Sequence, residues 1–423
     1  MRLAGANMGI LRARRWGRMA VLLLAAAVGA TAGCAGAPST TDVGTLYSFW
    51  PQFPAEPHIQ FLVSYRHSGD IEPPPSSFDR LVFGRDRETL PIVKPYGVAM
   101  WDGRIYVCDI RGGGVVVLDL ERHRTSVLRT RGLGGLVQPT DITVSDDGMK
   151  YVADLQRGVV FVFDAEDRHV GAFGHEGLKP VGIAVLGDEL YVCDFSSQSV
   201  LVLDRFNGEI LRHIGGRGDE DGQFVRPLGV DVDRDGNVYV VDVIRCRLQK
   251  FDRYGQVTMV TGQISDTAGS FVRPKHLAVD DDGVIYVVDA AFANVQMFND
   301  EGQVLMFFGS AGDHPGSMEL PAGICVTDEG IERFRDYIHP AFEAQRLVIV
   351  TNQFGRNKVA VYAAGRLREG ASVGDLGPTI ATMSTGVRED DDGGADGALP
   401  PAEVRPDQLP AERPPEAGTD EDP

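Results

Sequence analysis

Six times in this 423-residue chain a Pro opens an apolar run that ends, past a Gly-bearing turn, in Tyr-Val-x-Asp or a close relative. The openings are Pro95-Tyr96-Gly97-Val98, Pro139-Thr140-Asp141-Ile142, Pro180-Val181-Gly182-Ile183, Pro227-Leu228-Gly229-Val230, Pro274-Lys275-His276-Leu277 and Pro321-Ala322-Gly323-Ile324. They stand 44, 41, 47, 47 and 47 residues apart, the length of a unit of four short strands.

Each unit reads as a meander. In the fourth, Gly229 to Val232 leads through the turn Asp233-Arg234-Asp235-Gly236 to Val238-Tyr239-Val240-Val241-Asp242, and two further strands follow around Tyr254-Gly255. Short apolar runs punctuated by Asp-Gly or Asn-Gly are hairpin signals, and no segment of the repeats shows sustained helical periodicity. The sixth repeat supplies three strands and no convincing fourth, while an unassigned strand, Ile59 to Tyr65, lies upstream of the first. Because an open ring leaves two bare strand edges, the upstream strand is expected to complete the last unit. The fold class is therefore all-β: a six-bladed β-propeller over about residues 59–363, expected to be a monomeric ring.

The segment Gly222-Gln-Phe-Val-Arg-Pro-Leu-Gly-Val-Asp-Val-Asp233, followed by Gly236-Asn-Val-Tyr-Val-Val-Asp242, resembles the NHL repeat. Six such units resemble the propellers of bacterial NHL-repeat lipoproteins, over roughly 300 of the 423 residues. The fold hosts lyases, lactonase-like enzymes, sensor domains and RNA-binding modules, so it does not itself name a function.

Arg12, Arg14, Arg15 and Arg18 precede the short apolar stretch Met19 to Val28, the layout of an export signal over residues 1–33. Thr31-Ala32-Gly33-Cys34 then resembles a lipobox, which makes Cys34 the expected lipidation site and the periplasmic side of the cell envelope the expected location, the outer membrane favoured by Ala35. Residues 34–58 are expected to be a tether, with Trp50-Pro51 and Phe53-Pro54 packing onto the ring, and 364–423 a C-terminal extension. From about residue 386 that extension holds twelve Asp or Glu against three Arg, a composition expected to stay disordered. The whole chain has a net charge of -19, which argues against nucleic acid as a partner. Cys108, Cys193, Cys246 and Cys325 form no CxxC pair; buried thiols are expected, with a disulfide open for Cys246 or Cys325.

In an antiparallel meander the connections alternate ends, so the Pro openings share a face with the loops that follow Tyr-Val-x-Asp. That face is expected to carry Lys94, Arg111, Arg157, Lys179, Arg226, Arg245, Arg273 and Lys275, with Arg247 and Arg356, while Asp-rich turns collect on the other. Asp109, Asp154, Asp194, Asp242 and Asp289, with Asn352, could be drawn as a metal cluster, but acceptance of backbone N–H groups is the simpler role.

Two openings break the pattern by placing Asp141 and His276 where the other four have Gly. Both are expected near the mouth of the central channel. Peptide-amidating lyases of similar fold place a metal with several His there, and gluconolactonase-type enzymes use carboxylates and Asn. On that resemblance Asp141, His276 and Asn352 are the candidate catalytic or metal-binding residues, although a zinc site needs three protein ligands. No nucleophile elbow or phosphate-binding Gly-rich loop is present in the sequence. The expected function is a non-catalytic scaffold that binds an envelope protein or an anionic ligand, without a cofactor. The alternative is a metal-assisted lyase or lactonase at the channel mouth.

Overall fold

A computed structural model describes residues 47–74, 89–130 and 134–377. The expected export signal, Cys34, the first part of the expected tether and the acidic C-terminal stretch lie outside the described residues. The described chain builds six antiparallel sheets, and the innermost strands pack in sequence order with the last against the first, which closes a ring.

Blades 1 to 5 each have four strands. Their innermost strands are Pro95–Trp101, Pro139–Val144, Pro180–Leu186, Pro227–Val232 and Pro274–Val279. Blade 6 begins with Pro321–Thr327 and continues with Phe342–Asn352 and Val359–Leu367. Its fourth strand is Ile59–Tyr65, paired antiparallel to Val359–Leu367 with Tyr65 opposite Val359.

The middle strands of every blade are apolar on both sides because each face of a radial sheet packs on a neighbouring blade. The core is accordingly divided into six clusters, one in each gap between blades. Between blades 1 and 2, for instance, Tyr106, Val115, Val152, Phe161 and Phe163 interdigitate. No Pro interrupts a middle strand, which keeps every ladder hydrogen bond available.

Two boundaries differ from the sequence reading. The segment expected to be tether adds a fifth strand to blade 6, Ser48–Trp50, with Trp50 opposite Ile59. Its driving force is aromatic burial: the Trp50 ring lies 5.9 Å from that of Tyr362 and 6.4 Å from that of Phe308. The last strand of the ring also runs to Leu367 rather than stopping near residue 363, because an insertion between the first two strands of blade 6, Ile331 to Gln345, lengthens its hairpin partner to Phe342–Asn352. That insertion forms a 3-10 turn, Ile331–Phe334, and buries Phe334 in the core between blades 6 and 1. Gln60 holds it in place, donating from Nε2 to the Tyr337 carbonyl at 2.8 Å and accepting from the His339 N–H at 3.0 Å.

All four described cysteines are free thiols, and burial raises their pKa values, so they pack as small apolar groups.

Candidate functional site at the channel mouth

The six innermost strands come closest two residues past each Pro. A Cβ at Gly97 would fall 2.5 Å from the Asp141 Cα, one at Gly182 2.4 Å from the Leu228 oxygen, and one at Gly229 2.8 Å from the His276 Cα. One at Gly323 would fall 2.2 Å from the Tyr96 oxygen. Such approaches exclude any side chain, so Gly at four of the six positions is the steric requirement of a constriction.

The other two positions hold Asp141 and His276, in blades 2 and 5, which face each other across the ring. His276 Nε2 lies 2.8 Å from Asp141 Oδ2, and both side chains are buried. Asp141 Oδ2 also accepts the Ile183 N–H at 2.9 Å, a donor on the channel-facing edge of blade 3. Burial by itself would lower the His276 pKa; the charge and hydrogen bond of Asp141, helped by the charge of Asp231, outweigh it and hold His276 above its ordinary value. The pair thus closes the constriction with a charge-assisted bond.

Asn352 is not part of this group. Its Oδ1 accepts the Glu319 N–H at 3.2 Å and its Nδ2 donates to the Asn357 carbonyl at 2.7 Å, so the side chain is committed to the loops of blade 6. This corrects the expected trio: no third ligand stands beside Asp141 and His276, and no group of three or more His, Cys, Asp or Glu suited to a metal occurs among the described residues.

The repeated Asp residues take the simpler role. Asp289 accepts the N–H groups of Val272, Arg273, Ala291 and Phe292. Asp109 and Asp242 make the same set of bonds. Each carboxylate staples its own loop and also the crossing that enters its blade, a wider role than the Asx turn expected from sequence.

One channel residue was missed. Asp231 stands four residues past its Pro, where the other repeats have Ala99, Thr143, Ala184, Ala278 and Cys325. It accepts the Val279 N–H of blade 5 at 2.8 Å, and burial pushes its pKa up to about 6. The departure from small or neutral residues was its only signal in the sequence.

Above the constriction lies the face of the Pro openings. Lys94 and Lys275 are half-buried there, while Arg111, Arg157, Lys179, Arg226 and Arg273 are exposed. No described carboxylate lies within 4.0 Å of the charged nitrogens of these seven. Arg245 differs, reaching Asp219 at 3.8 Å; Arg247 pairs with Asp221 at 3.2 Å and Arg356 with Asp313. On the opposite face most cations are matched: Arg104 and Lys150 meet Asp167, Arg205 meets Asp147, Arg212 meets Glu189, Arg234 meets Asp281, and Arg346 meets Asp280 and Asp282, while Arg253 reaches only the Asp235 carbonyl. Val93, Ile244, Ile264, Val272 and Phe354 add exposed apolar side chains among the unmatched cations.

Residues 224–251, from the crossing into blade 4 through its third strand, match the family model of the NHL repeat. The chain carries an NHL repeat. Within that NHL repeat lie Arg226, the constriction residue Gly229, the channel residue Asp231 and the stapling Asp242. Among solved structures, a protein of unknown function from Bacteroides thetaiotaomicron is similar, with 15% identity, a TM-score of 0.51, and 72% of this chain and 75% of that one covered. A streptogramin B lyase matches at 12% identity and TM-score 0.47, covering 66% of this chain and 85% of its own. A gluconolactonase from Xanthomonas campestris matches at 15% identity and TM-score 0.46, covering 64% and 86%.

Proposed function

We propose that this NHL-repeat propeller is a non-catalytic binding module whose working surface is the face of the Pro openings, and that its partner is anionic. The observation that supports this reading is the asymmetry of charge pairing. A chain with net charge -19 has acidic groups to spare, and it matches most cations of one face while leaving seven on the other with no described carboxylate within 4.0 Å. Exposed Ile244, Ile264 and Phe354 interleave with those cations, the mixture of apolar and unpaired charged groups expected of a surface that is covered in use.

The reading includes a location. The Arg-rich leader and Thr31-Ala32-Gly33-Cys34 support export and lipidation of Cys34, which would hold the ring at a membrane of the cell envelope. Loss of a lipid-sized mass increment and of membrane fractionation in Cys34→Ala tests that part.

The lyase or lactonase alternative has less support. His276 Nε2 and Asp141 Oδ2 are spent on one another in the constriction, and the remaining imidazole nitrogen, Nδ1, is buried rather than open to a ligand at the mouth.

The binding reading is tested by passing the full chain over an immobilised sulfated polysaccharide at low salt. Because the net charge opposes retention, binding requires a localised cationic surface. Retention that weakens with salt and disappears in Arg226→Glu/Arg273→Glu, but persists in Arg212→Glu on the opposite face, is the expected result. Equal elution of wild type and the double variant would remove the proposal.

A further inference from the structure

Lys275 is the only Lys or Arg in the six innermost strands. Its counterparts are Tyr96, Thr140, Val181, Leu228 and Ala322, none of them charged. The Nζ of Lys275 lies 5.4 Å from the centroid of the Tyr96 ring, although Tyr96 belongs to blade 1 and Lys275 to blade 5. Blade 6 stands between them and contributes only Ala322 at this level, so the lysine lies over the mouth of the channel.

The groups around it are cationic or neutral. Arg273 and Lys94 are the charges that act on Lys275, and both oppose its own. Arg226 acts on the Tyr96 phenol from blade 4. The acid whose charge acts on the Tyr96 phenol is Asp141, which already serves His276 and the Ile183 N–H. A half-buried ammonium with two like charges beside it and no described carboxylate in reach is a cost that the Tyr96 ring face offsets only in part. Burial first, then Arg273 and Lys94, pull its pKa down to about 8.

Resting on the reading of this face as anion-binding, we propose that the channel mouth is a discrete site for one oxyanion group, a carboxylate, phosphate or sulfate of a small ligand. Lys275, Arg273 and Lys94 compensate its charge, and the Tyr96 hydroxyl donates to it. The floor is the Asp141–His276 pair, which stops the ligand from entering the channel further. An oxyanion seated there would favour the charged amine, so binding takes up a proton near pH 8, and affinity falls as the pH rises past that value and Lys275 becomes neutral. Burial holds the Tyr96 phenol protonated through that range, so the phenol does not contribute to the change.

The test is calorimetric titration of the full chain with sulfate, whose own charge does not change between pH 7 and 9.5, at constant ionic strength. Saturable binding at pH 7 that weakens about tenfold at pH 9.5 is expected, with Lys275→Met losing it at both values and Lys275→Arg keeping it but losing the pH dependence. Folding of the variants is read independently from their retention on the sulfated polysaccharide. Sulfate affinity unchanged in a Lys275→Met variant that still binds the polymer overturns the mouth site and leaves the wider face standing. Absence of both sulfate and polymer binding in wild type overturns both readings.

Discussion

His276 Nε2 and Asp141 Oδ2 meet at 2.8 Å from blades on opposite sides of the ring, 135 residues apart in sequence. A bond across the axis ties the two halves of the propeller together at its narrowest level. A buried, charge-assisted pair of this kind is costly to break from one side, because the remaining partner keeps its desolvation cost. His276→Gly and Asp141→Gly should therefore each destabilise the ring by about 3 kcal/mol or more, whereas the double variant, with Gly at all six positions, should lose markedly less than the sum. Chemical denaturation of the four proteins measures the coupling; additive losses would show that the pair contributes nothing as a pair.

The same layer predicts a pH dependence. Burial raises the Asp231 carboxyl to about 6 from 3.8, so the folded state holds this proton more tightly than the unfolded chain and stability falls as the pH rises from about 4 to about 6. His276 is also raised, so its contribution is full below its unfolded value of 6.5 and is lost as the pH climbs through its higher folded value. Asp231→Asn can still accept the Val279 N–H without a charge to bury. Its Tm relative to wild type should improve between pH 4 and pH 7, and a constant difference would contradict the raised carboxyl.

Glycines of equal local freedom should differ sharply in tolerance. Gly323→Ala would place its Cβ 2.2 Å from the Tyr96 oxygen, a backbone atom that cannot swing aside, and a loss of about 2 kcal/mol or more is expected. Gly171, in the outer strand His169–Phe173, has no atom within 4 Å of a Cβ, and Gly171→Ala should change stability by less than about 1 kcal/mol in either direction. Thermal melts of the two variants decide this.

Asp289→Ala removes the acceptor of four backbone N–H groups that join the blade 5 loop to the crossing from blade 4. With unsatisfied donors costing about 1–3 kcal/mol each where buried, the variant should be strongly destabilised, with hydrogen exchange first accelerated at Val272 and Arg273. Asp289→Asn, which keeps one acceptor oxygen, should recover part of the loss. A metal role would instead give a variant whose stability depends on added divalent cation.

The blades were legible in the sequence because everything that defines one is local. Apolar runs, Gly turns and the Tyr-Val-x-Asp ending lie within 47 residues of each other, and the backbone bonds of Asp289 or Asp242 follow from a carboxylate placed beside free N–H groups. Asp141 and His276 were legible as exceptions to a repeat, and the basic face as a consequence of meander geometry. The period does not reveal that closing six blades brings positions 141 and 276 together while leaving Asn352 occupied within blade 6. Nor does it show that Ser48–Trp50 would pair as a fifth strand on the outermost edge while Phe53 stays exposed.

Which cations are matched was decided by the tertiary structure alone. Arg205 and Arg226 are the same residue type, yet one reaches Asp147 at 3.0 Å and the other lies over the Phe195 ring with no described carboxylate in reach. The physical reason is one of range. Turns, strands and staples are set by interactions between near neighbours, which the sequence orders directly. The channel pair, the Lys275 mouth and the pairing of surface charges depend on how far apart six closed blades hold their ends.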